Sequence, residues 1–343
     1  GEVMDYGGLL GDNSRLQEIT QTARKIGLRL EGHIPTLKGV ALSEYLSYGV
    51  SSDHTLTRPE KILEQISKGV AVMLQTKSIT RENIQLVNSL ADRSQILLVT
   101  DDLEPFALQN GHLSQIVSLA VKAGMPELEA IASATIRPAR YLGLHDLGGI
   151  APGYQADFMI AEKSTEYPPL EVYVSGRKVA KNGKLSEKHL PDLPPTPMGD
   201  QIPGPFSKED FRVVPETISR EQVIANAVVI KNDANTLTGL ERIPVEVNTG
   251  FPEFSEGDGL ALVAVFARSG SSSNVGILKN SGLRSGAFAS SVAHDSHNLL
   301  VVGRDVGSMV TAANAAHQME GGMVVSDGAD VLARLPLPIL GLL

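Results

Sequence analysis

The 343-residue sequence contains no cysteine, which excludes disulfides, thiolate metal ligands and cysteine nucleophiles. Any metal site must therefore use imidazole and carboxylate ligands, a donor set that suits Zn, Mn or Fe. The net charge of −9 and the lack of a long basic run argue against a nucleic-acid partner. No apolar run has membrane-spanning length and no signal-peptide pattern is present, so we expect a cytoplasmic protein without a membrane partner.

The length and composition are those of a globular protein. A chain of 343 residues predicts two or three domains, and 42% hydrophobic with 20% charged residues is an ordinary balance. The sequence begins with Gly1 rather than methionine, and its first letters, GEVMDYGG, are typical of the end of a strand. We therefore expect these residues to be a fragment of a longer chain.

Residues 1–145 alternate between short apolar runs and segments with helical periodicity. The run QILLVTDD predicts a strand that ends in two adjacent carboxylates. Thr57 and Glu60 predict a capping box at the start of a helix. Repeated strand–helix units at this spacing indicate parallel β/α architecture, so the predicted fold class is α/β.

The rest of the sequence divides into three parts. Residues 146–190 are rich in turn and β-branched residues, with NGK as a hairpin turn, and predict a small β module. Residues 191–209 form a Pro/Gly-rich linker. Residues 210–343 mix strands with a helix near 306–319 and predict a C-terminal α+β domain.

Residues able to do chemistry recur at the carboxyl ends of predicted strands, namely at Glu2, His33, His54 and Asp101. In a (β/α)8 barrel this is the face at which active sites lie. Two imidazoles and two carboxylates can hold a metal that gives hydroxide near neutral pH, and a carboxylate beside it can move a proton. Each residue taken alone also suits a surface or helix-capping role.

Two further groups of polar residues leave alternatives open. His112 precedes a predicted helix close after the paired aspartates, where it suits either capping or support of the metal site. The stretch VAHDSHN brings His294, Asp295, His297 and Asn298 together before an apolar strand. An Asx-type turn is the commoner interpretation of such a pattern, and a polar patch aimed at substrate is the alternative.

Several motifs together give the sequence a family resemblance. The chain resembles bacterial adenine deaminases of the amidohydrolase superfamily in six stretches: EGHIP, GVSSDHT, LVTDDLEP, LGGIAPGYQADF, GAFASSVAHDSHNLLVVG and the closing LPLPILGLL. The resemblance covers nearly the whole chain. LGGIAPGYQADF is shared by many amidohydrolases, whereas the stretch around VAHDSHN is far more specific.

The resemblance implies a metal-dependent hydrolase that converts adenine and water to hypoxanthine and ammonia through attack of metal-activated hydroxide at C6. Glu2 would be a bridging carboxylate, and His33 and His54 would be metal ligands from the next two strands. Asp101 would bind metal and relay a proton to the departing amine, so that Glu2 and Asp101 are the expected catalytic residues. Residues 1–145 would then supply only the later strands of the barrel.

The resemblance also implies substrate-binding roles and a biological setting. Asp102 and His112 would orient substrate or the metal shell, and His294 and His297 would contribute from the C-terminal domain. The implied cofactor is a divalent metal, as a binuclear centre of Mn, Fe or Zn. The expected setting is purine salvage and adenine catabolism by a cytoplasmic homo-oligomer.

Three positions depart from the pattern of the resembled family. No His-x-His pair of the first barrel strand is present, Thr55 stands where relatives have Glu, and Ser269 stands where they have His. Because a barrel without its first strands cannot close its metal site, we expect the 343 residues alone to be inactive.

Two other functions remain open at the level of sequence. An amidohydrolase site of this kind also suits another cyclic amide or amidine. A non-catalytic homologue that binds purine is the alternative outside enzymes, and Thr55 and Ser269 favour it. The retained Glu2, His33, His54 and Asp101 argue against it.

Overall fold

The computed structural model of the chain describes residues 1–11, 13–103, 105–109, 111–163, 168–186, 202–214, 221–231, 238–294 and 296–342. Two compact units divide the chain, unit 1 from Gly1 to His189 and unit 2 from Leu190 to Leu343. Most of the predicted linker, residues 191–201, lies outside the described residues. The predicted α/β class agrees with both the helices and the strands of the structure.

Unit 1 begins with five short parallel strands in chain order. They are β1 (Glu2–Val3), β2 (Glu31–Gly32), β3 (Ser52–Asp53), β4 (Ala71–Leu74) and β5 (Ile96–Leu98). β1 pairs with β2, β3 pairs with β4, and β4 pairs with β5. A parallel bridge between Leu30 and Val50 joins the two groups. All five carboxyl ends therefore meet along one edge.

Helices separate and follow these strands. Their bounds are α1 (Tyr6–Leu10), α2 (Ser14–Lys25), α3 (Gly39–Ser47), α4 (Pro59–Ser67), α5 (Arg81–Ser89), α6 (Pro105–Leu108), α7 (Leu113–Lys122), α8 (Glu127–Ala134) and α9 (Ile136–Tyr141). A short 3₁₀ turn spans Thr76–Ser78. Within the described ranges, no helix has the length and apolarity needed to cross a membrane.

The predicted capping box at the start of α4 is wrong. The cap residue is Arg58, which makes no side-chain capping bond, and Pro59 occupies the first helical turn. Proline fits there because its φ is already helical and it has no N–H that needs a partner. The amide nitrogen of Thr57 instead donates to the hydroxyl of Ser78, and its carbonyl accepts from Asn83.

Two apolar clusters hold the helices of unit 1 against its strands. One lies between α1, α3 and the first strands, and it contains Leu9, Ile34, Leu42, Tyr45 and Val50. The other joins α4, α5, α7 and α8 to β4 and β5, and it contains Ile62, Val72, Leu74, Ile84, Ile96, Leu98 and Ile116. Burial of such side chains is the main favourable term that fixes the strand ends in place.

The end of unit 1 is a small antiparallel sheet. Its strands are β6 (Phe158–Ile160), β7 (Glu171–Val174), β8 (Arg177–Lys181) and β9 (Lys184–Leu185), paired in that order. Asn182 and Gly183 link β8 to β9 with φ angles of 49° and 74°. Positive φ at both positions is what a two-residue hairpin of this kind needs, so the predicted NGK turn is confirmed.

Unit 2 is a nine-stranded sheet with one long helix. Its strands are β10 (Glu221–Ile230), β11 (Thr238–Asn248), β12 (Phe251–Glu253), β13 (Leu260–Phe266), β14 (Ser273–Lys279), β15 (Ala287–Ser290), β16 (Leu299–Gly303), β17 (Gly322–Asp327) and β18 (Asp330–Pro336), and α10 spans Val306–Gln318. The strand order is β12-β11-β10-β14-β13-β16-β15-β17-β18. The neighbours pair antiparallel except β10 with β14. Asp305 caps α10 through the amide of Ser308.

Candidate active site

Four of the predicted site residues lie at the carboxyl ends of the parallel strands. Glu2 is in β1, His33 follows β2, His54 follows β3, and Asp101 comes three residues after β5. Because parallel strands place these ends on one edge, side chains far apart in sequence come together there. The structure thus brings the four predicted residues into one cluster.

Glu2 is the centre of this cluster. Its Oε1 lies 3.2 Å from Nδ1 of His33 and 3.5 Å from Nε2 of His54. Nε2 of His54 is also 4.0 Å from Oδ2 of Asp101. The two imidazole rings meet edge to face with centroids 5.3 Å apart. A single carboxylate oxygen therefore faces two ring nitrogens, with a second carboxylate beyond them.

The donor set fits a divalent metal ion. One ligand atom from each of Glu2, His33 and His54 lies within 4.8 Å of the others, which is the separation expected of atoms around one ion. Neutral imidazole and carboxylate are the ligands that Zn and related metals take in catalytic sites with an open position. All three side chains are partly accessible, with 17–35% of their surfaces exposed, so a small molecule can reach them.

Asp101 has an unusual backbone that orients its carboxylate. Its φ is +58°, in the left-handed region that Asp tolerates better than most residues. Its Oδ1 accepts a hydrogen bond from the amide of Asp102 at 2.9 Å, and its Oδ2 accepts one from Gln75 at 2.9 Å. Both carboxylate oxygens are thereby held in place, and Oδ2 is the one that lies near His54.

Gln75 is a site residue that the sequence analysis missed. It follows β4 directly and is 8% exposed. Its Nε2 donates to the carbonyl oxygen of His54 at 2.8 Å as well as to Asp101. Gln75 is the last residue of the run VAVMLQ and so also stands at the carboxyl end of a predicted strand, but glutamine is not a usual metal ligand.

Asp53 is a second missed residue, buried directly before His54. Burial by itself would raise its pKa, but the Lys61 ammonium at 2.8 Å and hydrogen bonds from Lys61, Gln65 and Thr55 outweigh burial and hold the pKa below its ordinary value. The group is therefore a carboxylate at neutral pH. No sequence pattern singles it out, because its partners lie on the following helix.

Tyr45 of α3 fastens the first two strands together. Its hydroxyl donates to the carbonyl of Val3 at 2.6 Å and accepts from the amide of His33 at 3.4 Å. Burial raises the pKa of Tyr45 to about 12, so the hydroxyl keeps its proton at neutral pH. The backbone beside Glu2 and the backbone of His33 are thus held by one buried side chain.

The remaining predicted residues have different surroundings. Asp102 is exposed beside Asp101. His112 is exposed at the start of α7, where its side chain makes no capping hydrogen bond. His294 and His297 belong to unit 2.

The loop that carries these two histidines is held by Arg268. Its guanidinium donates to the carbonyls of Ser291 and His297, and its amide nitrogen donates to the side chain of Asn298. His297 has a φ of +50°. Asp295, which the Asx-turn interpretation needs, lies outside the described residues. Ser269, one of the departures, is exposed and bonded to Ser271.

Comparison with known proteins supports the resemblance drawn from the sequence. The chain is 34% identical over 357 residues to an adenine deaminase of Petrotoga mobilis, covering 100% of this chain and 60% of that protein. An adenine deaminase of Clostridium perfringens is 35% identical over 362 residues, with 100% and 61% covered. This chain therefore spans about 60% of the length of these relatives.

Among solved structures, a β-aspartyl dipeptidase of Fervidobacterium islandicum AW-1 is similar. It has a TM-score of 0.40 and 20% identity, covering 51% of this chain and 54% of that one. The sequence pattern of the adenine deaminase C-terminal domain matches residues 235–343. The pattern of the amidohydrolase family matches residues 13–185, which is just over half of the chain. The chain belongs to the amidohydrolase family.

Proposed function

We propose that the protein to which this chain belongs hydrolyses adenine to hypoxanthine and ammonia. The observation that carries the proposal is the single Glu2 oxygen facing the ring nitrogens of His33 and His54 at parallel strand ends. Such a centre can generate hydroxide, and the relatives from Petrotoga mobilis and Clostridium perfringens are named adenine deaminases.

Glu2, His33 and His54 would hold the metal, with Asp101 as a further ligand. When bound, a divalent cation lowers the pKa of a water molecule enough to supply hydroxide near neutral pH. Mn, Fe and Zn all suit this donor set, and a binuclear centre bridged by Glu2 is part of the proposal. The position of Glu2 between the two imidazoles supports it.

Asp101 would move the proton in the reaction. Its Oδ2 lies beside Nε2 of His54, and its orientation is fixed by Gln75 and by the amide of Asp102. A carboxylate held there accepts a proton from the attacking water and delivers it to the amine that leaves C6.

Substrate contacts form the next part of the proposal. Asp102 and His112 of unit 1 would orient substrate or the metal shell. His294 and His297 of unit 2 are proposed separately as substrate-binding residues. Discrimination between adenine and hypoxanthine needs buried hydrogen-bonding partners, because the two molecules differ at one exocyclic group.

The same proposal covers the architecture. Residues 1–145 would be the later strands and helices of a (β/α)8 barrel, and the five parallel strands in chain order support this. Residues 146–190 would form the small β module and 191–209 the linker. Residues 210–343 would form the C-terminal α+β domain.

The biological setting is proposed with the activity. An adenine-to-hypoxanthine reaction belongs to purine salvage and adenine catabolism, and we propose a cytoplasmic homo-oligomer that carries it out. Neither a nucleic acid nor a membrane would be a partner, in keeping with the net charge of −9.

The proposal is tested with protein made from the complete coding sequence and loaded with Mn²⁺, Fe²⁺ or Zn²⁺ in turn. Adenine, other purines and a panel of cyclic amides are offered, and hypoxanthine and ammonia are quantified by chromatography. We expect adenine alone to be turned over, with Glu2→Gln abolishing turnover and metal content together. The exposed Glu18→Gln variant in α2 is the matched control and keeps both.

Three other outcomes would contradict the proposal. Turnover of a cyclic amide but not of adenine would favour the other amidohydrolase chemistry. Purine binding without metal and without turnover would favour a non-catalytic homologue. Activity retained in Glu2→Gln would remove Glu2 from the site.

A further inference from the structure

Asp53 is a buried carboxylate between the two metal-ligand strands. It is 2% exposed, although a charged side chain is costly to bury unless it is paired and hydrogen-bonded. It lies on β3 directly before His54, so its side chain points to the opposite face of the strand from the imidazole. A carboxylate buried at this position must therefore be stabilised by hydrogen bonds and by a positive charge.

The hydrogen bonds of Asp53 reach both ligand strands. Its Oδ1 accepts from the amide of Ile34, the residue after His33, at 3.0 Å. The same oxygen accepts from the amide of Thr55, the residue after His54, also at 3.0 Å. One carboxylate oxygen therefore fixes the backbone immediately beyond each histidine.

The other side of the carboxylate is held by α4. Lys61 and Gln65 are four residues apart on one face of this helix, and their side-chain nitrogens lie 2.8 and 2.7 Å from Oδ2. The Thr55 hydroxyl donates to Oδ1 at 2.9 Å and also accepts from Lys61 at 2.6 Å. The charge is therefore compensated and its position is set by a helix rather than by a loop.

We propose that Asp53 is the positioning residue that sets the spacing of His33 and His54 for metal binding, with Lys61, Gln65 and Thr55 as its support. This inference rests on the proposed metal centre. Among the described residues, the Asp53 side chain has no hydrogen bond or ion pair with Glu2, His33 or His54; its partners are Ile34, Thr55, Lys61 and Gln65. It acts through the two amides that follow the ligands, because a shift of either backbone segment moves the attached imidazole.

The test measures the Zn²⁺ affinity of protein made from the complete coding sequence by competition with a fluorescent chelator. We expect Asp53→Asn to weaken Zn²⁺ binding about tenfold or more, the range seen when residues that orient metal ligands are replaced. Thr55→Val should weaken it less but in the same direction. Hydrogen exchange at the amides of Ile34 and Thr55 should accelerate in Asp53→Asn.

Two controls separate positioning from general stability. Asp92→Asn replaces an exposed aspartate that accepts hydrogen bonds from Ser94 in its own turn. Val87→Ala opens a cavity in the second apolar cluster of unit 1 and lowers stability without touching Asp53. Both should keep the Zn²⁺ affinity of the unchanged chain.

Zn²⁺ affinity in Asp53→Asn equal to that of Val87→Ala would overturn the proposal. If Asp53→Asn does not fold, unchanged affinity in Thr55→Val overturns it equally. Absence of Glu2-dependent Zn²⁺ binding in the unchanged chain would overturn both the metal centre and this role. Intact Zn²⁺ binding without adenine turnover by the complete protein would overturn only the deaminase function.

Discussion

Replacing Gln75 by glutamate tests whether this residue joins the strand ends of the site. The substitution keeps the shape of the side chain but exchanges its donor for a carboxylate. That carboxylate would face Oδ2 of Asp101 and the carbonyl of His54, which are now 2.9 and 2.8 Å from the amide nitrogen. Two favourable contacts become two repulsive ones.

The magnitude follows from these distances. Loss of one hydrogen bond to a charged group and one to a neutral carbonyl costs about 2 to 3 kcal/mol. Two charges ~4 Å apart repel by ~4 kcal/mol at an effective dielectric constant of ~20. Because the Asp101 side chain is 38% exposed, solvent reduces this repulsion, and we discount it to roughly 1 to 2 kcal/mol.

The pH dependence has a definite sign. Repulsion raises the folded-state pKa of the new carboxyl above its unfolded value, so the variant loses stability as pH rises through that raised pKa. The free energy of unfolding lost in Gln75→Glu, relative to the unchanged chain, should therefore be larger at about pH 8 than at about pH 5. At the lower pH a protonated carboxyl donates to Asp101. Gln75→Met removes the bonds without adding charge, and its deficit should be nearly the same at both values.

The assay uses the distribution of tyrosine. There is no tryptophan, and all seven tyrosines lie in unit 1, so tyrosine fluorescence during urea unfolding in EDTA reports that unit alone. An equal deficit for Gln75→Glu at both pH values would refute the argument. So would a Gln75→Glu variant no less stable at high pH than Gln75→Met.

Three further substitutions test other parts of the structure. Gly32→Ala would place a methyl group against the Ser52 carbonyl and should cost about 1 to 3 kcal/mol in urea unfolding. Ile84→Ala, in the core below β4, should cost about 2 to 5 kcal/mol in the same assay. In unit 2, burial opposes ionisation of Asp258, but the Leu260 amide and Arg304 hold its pKa below the ordinary value. Acidification through that low pKa should therefore loosen unit 2 in hydrogen exchange, and Asp258→Asn should flatten this dependence.

The sequence predicted the clustered part of the site because one rule of parallel strands applies to it. Side chains at successive carboxyl ends meet, so Glu2, His33, His54 and Asp101 could be grouped without knowing any distance. Their order along the chain is also the order of their strands. For these strands, the order in the sequence is therefore enough to predict which side chains meet.

Pairing between distant strands could not be predicted in the same way. In unit 2, β10 is hydrogen-bonded to β14 in parallel, and β13 lies between β14 and β16. Every one of these strands has suitable apolar residues, and nothing in the local sequence chooses the neighbour. The order depends on how nine strands and α10 together bury one core.

The contacts of Thr55 explain why threonine is compatible with the metal cluster. Thr55 is 7% exposed and bonds to Asp53 and Lys61, on the side of α4 rather than on the side of Glu2. Threonine in place of the expected glutamate therefore removes no donor from the cluster of Glu2, His33 and His54. A glutamate there would set a second carboxylate against the single Lys61 ammonium, which could not neutralise both in a buried site. Threonine instead donates to Asp53 and accepts from Lys61, so the local charges balance with the residue this chain has.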